Sequence, residues 1–243
     1  MFFITGMHRS GTSCVTGILN RCGLALGTTF HVLAQPKADN AKGHFENSGL
    51  VYINEEIFKE TSSSWYSPPR RDQVINCSSL KMIREFSKIF DGDIAKDPRA
   101  TILIDFFIIN CPTLEKVVHC VRHPQAVASS LSRRNQLPEA WGMKLWLYYN
   151  RYFLNNIGNT PVIFVSFEKL LSDLGPQAQR VLNFLGRGKI TSEIFEFVDR
   201  RLNHHPAWQN HSGKLEPSVL EMYHHLMNKC ELSHEEIPKL ALA

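Results

Sequence analysis

The fold of this chain is decided by its first segment, Phe2-Phe3-Ile4-Thr5-Gly6-Met7-His8-Arg9-Ser10-Gly11-Thr12-Ser13. Four residues suited to a buried strand, 2–5, run directly into a short loop that is bounded by Gly6 and Gly11. Glycine adopts backbone conformations that other residues avoid, so it is favoured in tight loops. A helical pattern begins immediately afterwards. The segment therefore predicts a strand, a glycine-bounded loop and a helix in succession.

The loop has the spacing of a nucleotide phosphate loop with one change. Such loops follow the pattern Gly-x-x-x-x-Gly-Lys-Ser/Thr, and Gly6, Gly11 and Ser13 occupy the matching positions, but Thr12 replaces the lysine. The positive charge comes instead from Arg9. Backbone N–H groups at the start of a helix attract anions, because they lack intrahelical partners and carry partial positive charge. We expect the loop to bind phosphate, with a tight turn and a solvated arginine as the alternative.

A second segment combines a strand, an arginine and a serine. The apolar run 116–121 ends in Arg122-His123-Pro124, and proline suits the first turn of the helix that should follow. Ser130 lies eight residues after Arg122, about two helical turns further on. A guanidinium offers a planar fork of donors to phosphate oxygens, and a hydroxyl adds another donor. The pair suits a phosphate dianion; a strand-end charge and a helix-surface serine are the alternative.

Together these two segments resemble the sulfotransferases that use 3'-phosphoadenosine 5'-phosphosulfate (PAPS). Arg-Ser-Gly-Thr at 9–12 resembles their phosphosulfate loop, and Arg122 with Ser130 resembles the arginine and serine that hold the 3'-phosphate of the cofactor. The cofactor-binding residues that the resemblance implies are Gly6, His8, Arg9, Ser10, Gly11, Thr12, Ser13, Arg122 and Ser130.

Three further segments extend the resemblance over about residues 2–186. Segment 40–47 resembles a Gly-aromatic-Glu-Asn element of bacterial members, and 96–99 resembles their Lys-Asp-Pro-Arg turn. Segment 164–171 resembles their strand and the helix start that follows it.

The resemblance implies an α/β fold with three layers, P-loop-like, in which a central parallel sheet is flanked by helices. Apolar strand-like runs alternate with helical patterns, which independently indicates a parallel sheet, at 2–5, 94–95, 116–121 and 162–165. Ligands of such sheets bind beyond the carboxyl ends of the strands. The residues that follow these strands should therefore converge on one edge: Gly6, Lys96, Arg122 and Ser166.

The implied reaction is transfer of a sulfuryl group from PAPS to an acceptor hydroxyl or amine by in-line displacement, releasing adenosine 3',5'-bisphosphate. We expect Arg9 to stabilise charge on the departing phosphate. Glu46 is the expected base, with Asp97, His44 and His8 as alternatives. Lys96 either contacts the transferred group or pairs with Asp97 or Glu46. Arg99 is expected to be a structural ion-pair partner.

Helices are also predicted over 100–109 and 192–202, and the turn-rich segment 61–71 is predicted to be an exposed loop near the mouth of the site. In the predicted helix 139–156, Leu145, Trp146 and Tyr149 have the spacing of core residues, whereas Trp141 is a candidate for the acceptor cleft.

Composition bounds the remaining properties. With 243 residues and 43% hydrophobic content, the chain can form one domain over 1–243. No apolar run is long enough for a membrane span, and the net charge of +4 is scattered, which does not indicate a nucleic-acid partner. A strand at Phe2 leaves no room for a secretory signal, and six cysteines without a Cys-x-x-Cys pair suggest free thiols. These features predict a cytoplasmic protein.

Other features of the sequence leave alternatives open. The residues that grip the adenine are not identified; the basic candidates, each equally explained as solvated charge, are Lys189, Arg200, Arg201 and Lys214. His204, His205 and His211 lack a carboxylate or cysteine set, so no metal site is predicted. The acceptor could be a sugar, lipid, phenol or peptide. A P-loop small-molecule kinase and a noncatalytic adenosine 3',5'-bisphosphate-binding protein are the alternative functions.

Overall fold

The structure is a computed structural model that describes residues 1–35, 42–198 and 215–232. Its strands in this part of the chain are β1 (Phe2–Thr5), β2 (Val32–Leu33), β3 (Glu46–Asn47), β4 (Ile94–Lys96), β5 (Lys116–Val121) and β6 (Val162–Ser166). The α-helices in the same residues are α1 (Thr12–Arg21), α2 (Ser48–Glu60), α3 (Arg71–Val74), α4 (Leu80–Ile89), α5 (Ile104–Asn110), α6 (Pro124–Asn135), α7 (Glu139–Asn156), α8 (Phe167–Ser172), α9 (Leu174–Leu185), α10 (Glu193–Phe197) and α11 (Pro217–Glu231).

The central sheet of the described residues contains four parallel strands in the order β4-β1-β5-β6. Strand β1 lies in the middle, with Phe2 opposite Ile94 on one side and opposite Lys116 on the other. The chain therefore leaves β1 towards one edge and crosses back over it to β5. Such a change of direction opens a crevice at the carboxyl ends of the strands, where ligands of open α/β sheets bind.

Both faces of the sheet are covered by helices, because successive side chains of a strand point to opposite faces. Phe3 packs with the core that includes residues of α2, α4, α5, α7 and α11, whereas Phe2 and Ile4 pack with α1 and α9. Parallel strands that are buried on both faces are expected to be apolar throughout. The predicted three-layer α/β arrangement is confirmed. No helix in the described residues is long and apolar enough to cross a membrane.

The predicted helix 100–109 requires a correction. A 3₁₀-helix over Pro98–Leu103 comes first, and α5 begins only at Ile104. Asp97 caps the 3₁₀ segment by accepting a hydrogen bond from the Arg99 N–H, and Pro98 stands at its first position. An aspartate cap and a proline start a helical turn at that point, three residues before the apolar run begins.

Two other segments also differ from prediction. The helix predicted over 192–202 is only Glu193–Phe197, and residues 199–202 lie outside the described part. An unpredicted antiparallel pair, β2 with β3, precedes α2. The side chain of Asn47 in β3 caps α2 by accepting from the N–H groups of Gly49 and Leu50 at 3.0 and 3.3 Å. This cap fixes the direction in which β3, which carries Glu46, joins α2.

Candidate active site

The loop between β1 and α1 requires glycine at its two ends. Gly6 has a φ of 137° and a Cβ added there would lie 2.6 Å from the carbonyl oxygen of Cys120. Gly11 has a φ of 89°, and a Cβ there would overlap the ring of Phe167. Both positions combine a left-handed backbone with close approach of another strand or helix, so any larger residue is strained. The glycine spacing in the sequence thus reflects two separate steric requirements.

Thr101 fixes the start of this loop. Its hydroxyl accepts a hydrogen bond from the N–H of Gly6 at 2.9 Å and donates one to the carbonyl of Gly6 at 3.1 Å. Thr101 is fully buried in the 3₁₀ segment that follows β4. Sequence reasoning missed this residue, since no local pattern links it to a loop 95 positions earlier.

The start of α1 has the features of an anion site. Gly11 is its N-cap and provides no side-chain hydrogen bond to the first turn. The hydroxyl of Ser10 and the Nε2 atom of His8 are buried and have no hydrogen-bond partner among the described residues. Buried polar groups are nearly always paired in proteins, so unpaired ones at a loop indicate a place for a ligand.

Arg9, Ser130 and Arg122 meet beside this loop. Arg9 has a φ of 71°, and its Nε donates to the hydroxyl of Ser130 at 2.9 Å. Arg122 donates from Nη1 to the carbonyl of Arg9 at 3.1 Å. Burial lowers the pKa of Arg122 to about 10, with Arg9 and Arg133 acting in the same direction and Glu168 opposing them. A bound phosphate would stabilise the positive charge of a buried arginine that lies beside other cations.

The start of α8 supports Arg122. The guanidinium carbon lies 4.6 Å from the centre of the Phe167 ring, within the range of a cation–π contact. Glu168 accepts a hydrogen bond from the His123 N–H at 2.9 Å, which ties α8 to the turn after β5. The indole of Trp146 donates to the carbonyl of Arg122 at 3.0 Å. Sequence reasoning noticed the Phe-Glu pair only as a resemblance, and the structure shows its contacts.

Lys96, Glu46 and Ser13 form a second cluster on the other side of the loop. The ammonium of Lys96, which is 2% exposed, lies 2.9 Å from Glu46 Oε1 and 3.2 Å from the Ser13 hydroxyl. It also donates to the carbonyl of His44 at 2.9 Å, and Ser13 donates to the same carbonyl. Burial raises the pKa of Glu46, but the charge and hydrogen bond of Lys96, together with Arg99, bring it below the ordinary value. Glu46 is therefore ionised at neutral pH.

Asp97 and Arg99 lie behind this cluster. Asp97 is fully buried, accepts from Asn54 at 2.9 Å and pairs with the guanidinium of Arg99 at 2.8 Å. Arg99 also forms an ion pair with Glu55 at 2.6 Å and lies 3.9 Å from Glu46. The expected structural ion pairing of Arg99 is confirmed. The carboxylate of Asp97 is thus committed to neighbouring groups, whereas Glu46 faces Lys96 and the loop.

His8 is covered by aromatic side chains. Its ring lies 4.5 Å from that of Trp65 and 6.2 Å from that of Tyr149, measured between centres. Burial, and then the charges of nearby cations, lower the pKa of His8 well below its usual value, so the imidazole is neutral at pH 7. Segment 61–71 was predicted to be an exposed loop; Tyr66 is exposed, but Trp65 is partly buried against His8 in the loop after β1.

Some sequence predictions concern other parts of the chain. Arg200, Arg201 and Lys214, with His204, His205 and His211, lie outside the described residues, and Lys189 is exposed. Within residues 1–35, 42–198 and 215–232, no group of three or more histidine, cysteine, aspartate or glutamate side chains could hold a metal ion.

A glycine-bounded loop that joins the first strand of a parallel sheet to the first helix defines a P-loop-like α/β fold. Over residues 2–188 the chain matches the model of the sulfotransferase family, and it belongs to that family. It is an enzyme of the sulfotransferase type. Among curated proteins, no sequence matches this chain.

Solved structures show the same fold at low sequence identity. The sulfotransferase domain of the Synechococcus PCC 7002 olefin synthase is 18% identical with a TM-score of 0.56, and the match covers 93% of this chain and 94% of that one. The sulfotransferase domain from the curacin biosynthetic pathway is 12% identical with a TM-score of 0.55, over 93% and 97%. Sulfotransferase STF9 from Mycobacterium avium is 16% identical with a TM-score of 0.51, over 93% and 74%.

Proposed function

We propose that the protein transfers a sulfuryl group from PAPS to a hydroxyl or amine of an acceptor and releases adenosine 3',5'-bisphosphate. The observation that carries the proposal is the contact of Arg9 with Ser130, with Arg122 donating to the Arg9 carbonyl. The residues suited to a 5'-phosphosulfate and those suited to a 3'-phosphate therefore adjoin. The cytoplasmic location and the single domain over 1–243 stay predictions of the sequence.

The loop residues fit the 5'-side of this cofactor. Gly6, Gly11 and the backbone from Ser10 to Ser13 form the cradle, and the unpartnered hydroxyl of Ser10 and Nε2 of His8 adjoin it. Thr12 is buried at the start of α1. When bound, PAPS supplies the activated sulfuryl group and a phosphate as the leaving group. Arg9 provides positive charge for that leaving phosphate, and preorganised donors of this kind are among the largest contributions to catalysis.

Arg122 and Ser130 fit the 3'-phosphate. Ser130 lies on α6, the helix that follows the strand end carrying Arg122, and both residues are buried. The Ser130 hydroxyl already accepts a hydrogen bond from Arg9 and has its own proton left to donate. The Phe167 ring holds the Arg122 guanidinium in place. A buried cation that is fixed in advance binds an anion without losing side-chain freedom at that moment.

Glu46 is the base in this proposal, and Lys96 orients it. Glu46 is ionised, partly exposed and held 2.9 Å from the Lys96 ammonium, which also contacts Ser13 in the first turn of α1. A carboxylate in this position accepts the acceptor proton, while Lys96 supplies charge between the base and the phosphate loop. Asp97 acts through Arg99 and Asn54 to position the end of β4, which carries Lys96.

Thermal denaturation with added nucleotides tests this function. Adenosine 3',5'-bisphosphate at a hundred times its Kd should stabilise the protein by about 2.7 kcal/mol. Ser130→Ala should weaken binding of the bisphosphate but not of adenosine 5'-monophosphate, and Ser129→Ala, its neighbour on α6, serves as the matched control. Stabilisation by ATP with magnesium, but not by adenosine 3',5'-bisphosphate, would favour the kinase alternative. Bisphosphate binding without turnover on any acceptor would favour the noncatalytic alternative.

A further inference from the structure

An aromatic surface leads from the phosphate loop to solvent. Starting from His8, the ring of Trp65 lies 4.5 Å away, and the ring of Tyr66 lies edge-on to Trp65 at 5.3 Å. Trp141 of α7 joins this surface by donating from its indole nitrogen to the carbonyl of Tyr66 at 3.0 Å. We call Trp65, Tyr66 and Trp141 the aromatic platform.

The platform is exposed at its outer end. Tyr66 is 47% exposed and Trp141 is 42% exposed, although both are large aromatic side chains. Exposed aromatic groups that adjoin one another beside this loop are informative, because contiguous apolar patches, unlike single exposed apolar side chains, mark ligand or partner sites. Trp65 connects these two residues to His8, and this continuity points to the substrate that must meet the loop.

The platform is also held rigidly. Tyr149 and Tyr148 of α7 donate from their hydroxyls to the carbonyls of Trp65 and Pro69 at 2.8 and 3.1 Å. The far end of the segment is tied down by Arg71, whose Nε donates to Asp105 at 2.7 Å. Rigid, preorganised side chains bind a ligand at a lower entropic cost than mobile ones. The exposure of these rings is thus a fixed property of the fold.

The chemistry of the platform favours one class of acceptor. A flat acceptor such as a phenol, whose two ring faces are apolar, gains most from a slot that buries both faces, since apolar surface left in water contributes no free energy of binding. Half-exposed rings bury only one face of a ligand. A pyranose has one face of C–H groups and a rim of hydroxyls that stay hydrated, so it suits a platform that is apolar on one side and wet on the other.

We propose that the aromatic platform is the acceptor site and that its ligand is a saccharide, whose ring packs on Tyr66 and Trp141 and whose hydroxyl points towards His8 and the phosphate loop. This proposal rests on the sulfuryl transfer proposed above. In it, the acceptor hydroxyl lies beside the loop, and its proton passes to Glu46 as the sulfuryl group is transferred.

The test is saturation-transfer NMR on the full chain, saturated with adenosine 3',5'-bisphosphate. The probes are neutral and acidic methyl pyranosides, with 2-naphthol and 1-hexanol as acceptors of other classes. We expect transfer to the ring C–H protons of at least one pyranoside, reduced at least fivefold in Trp141→Ala and in Tyr66→Ala. Trp141→Phe keeps a ring and should retain most of the signal. Phe195→Ala, which removes an aromatic on α10 that is more exposed than Tyr66 or Trp141, should change nothing.

The outcomes separate the two proposals. If adenosine 3',5'-bisphosphate does not bind, the proposed sulfuryl-transfer function is wrong. If the bisphosphate binds but no pyranoside does, or if pyranoside binding is the same in Trp141→Ala and Tyr66→Ala, the platform proposal is wrong and the transfer function stands. Binding of 2-naphthol alone, lost in Trp141→Ala, would make the platform a site for phenols. Melting temperatures near that of the wild type show that the variants are folded.

Discussion

The Nε atom of Arg9 donates a hydrogen bond to the hydroxyl of Ser130 at 2.9 Å, although 121 positions separate the two residues in the sequence. This contact joins the loop after β1 to the helix after β5. The charge of the loop is thereby held next to the hydroxyl and the guanidinium that suit a second phosphate. A ligand with phosphates at both ends can span the two elements.

Arg9→Ala should lower kcat about a hundred- to a thousandfold, because it removes a preorganised donor for charge on the leaving group. Steady-state kinetics with PAPS and an identified acceptor measure the change. Arg84→Ala, which removes an exposed arginine of α4, should leave kcat unaltered. Near-normal turnover of Arg9→Ala would reject the role of this side chain.

Glu46→Gln should lower kcat about 10²- to 10⁴-fold while adenosine 3',5'-bisphosphate still binds, because the amide keeps the size of the side chain but cannot take a proton. Kinetics and calorimetric titration together measure both properties. The matched control is Glu55→Gln, which weakens an ion pair with Arg99 without touching Lys96. If Glu46→Gln keeps its full kcat, the base is one of His8, His44 and Asp97.

Gly6→Ala should lower the free energy of unfolding by roughly 1–3 kcal/mol or more, since its backbone is strained for alanine and the new methyl group meets the Cys120 carbonyl. Urea denaturation measures the loss. Gly158→Ala is the control: its φ is 56° and nothing lies within 4 Å of the added atom. Equal losses at the two positions would mean that the contact with Cys120 is unimportant.

Acid should destabilise the protein through His119. This side chain is buried against Phe153 between Thr5 and Asn150, and burial lowers its pKa from 6.5 to about 4. Between pH 6.5 and about pH 4, His119 is protonated in the unfolded chain but stays neutral in the folded chain. Stability is therefore complete above pH 6.5 and falls by roughly 3 kcal/mol as the pH drops towards 4.

Urea denaturation at pH 7 and pH 5 of His119→Gln checks this expectation. The variant should be less stable at pH 7 but should lose less stability on acidification than the wild type. His31→Gln alters an exposed histidine and should keep the wild-type dependence. His8 has a lowered pKa in all of these proteins, so the comparison concerns the difference in slope. An unchanged slope in His119→Gln would contradict the assignment.

The sequence was sufficient to predict the family, the type of enzyme and the sheet. Strands 2–5 and 116–121 could be predicted because each is apolar, short and followed by residues that end a strand. The start of the segment after β4 was misplaced, because the apolar run hides the earlier start that Asp97 and Pro98 impose. Antiparallel pairing of β2 with β3 depends on contact between distant residues and has no local pattern.

The site could be predicted only as a set of residues, and their roles stay predictions. The loop and strand ends were identifiable because glycine, arginine and serine occupied recognisable spacings. The partner of Lys96 had to be left open between Asp97 and Glu46, and the structure shows that it pairs with Glu46. The packing of Trp65 on His8 could not be predicted, because a turn-rich sequence has no local pattern that indicates which distant side chain it contacts.

Thr101 has a consequence for the alignment of the candidate active site. Its single hydroxyl holds both the N–H and the carbonyl of Gly6, and it belongs to the segment that directly follows Lys96. The loop after β1 and the Lys96 side chain, which pairs with Glu46, are thereby attached to the same short segment. The same segment therefore sets the position of the loop and of the lysine relative to each other.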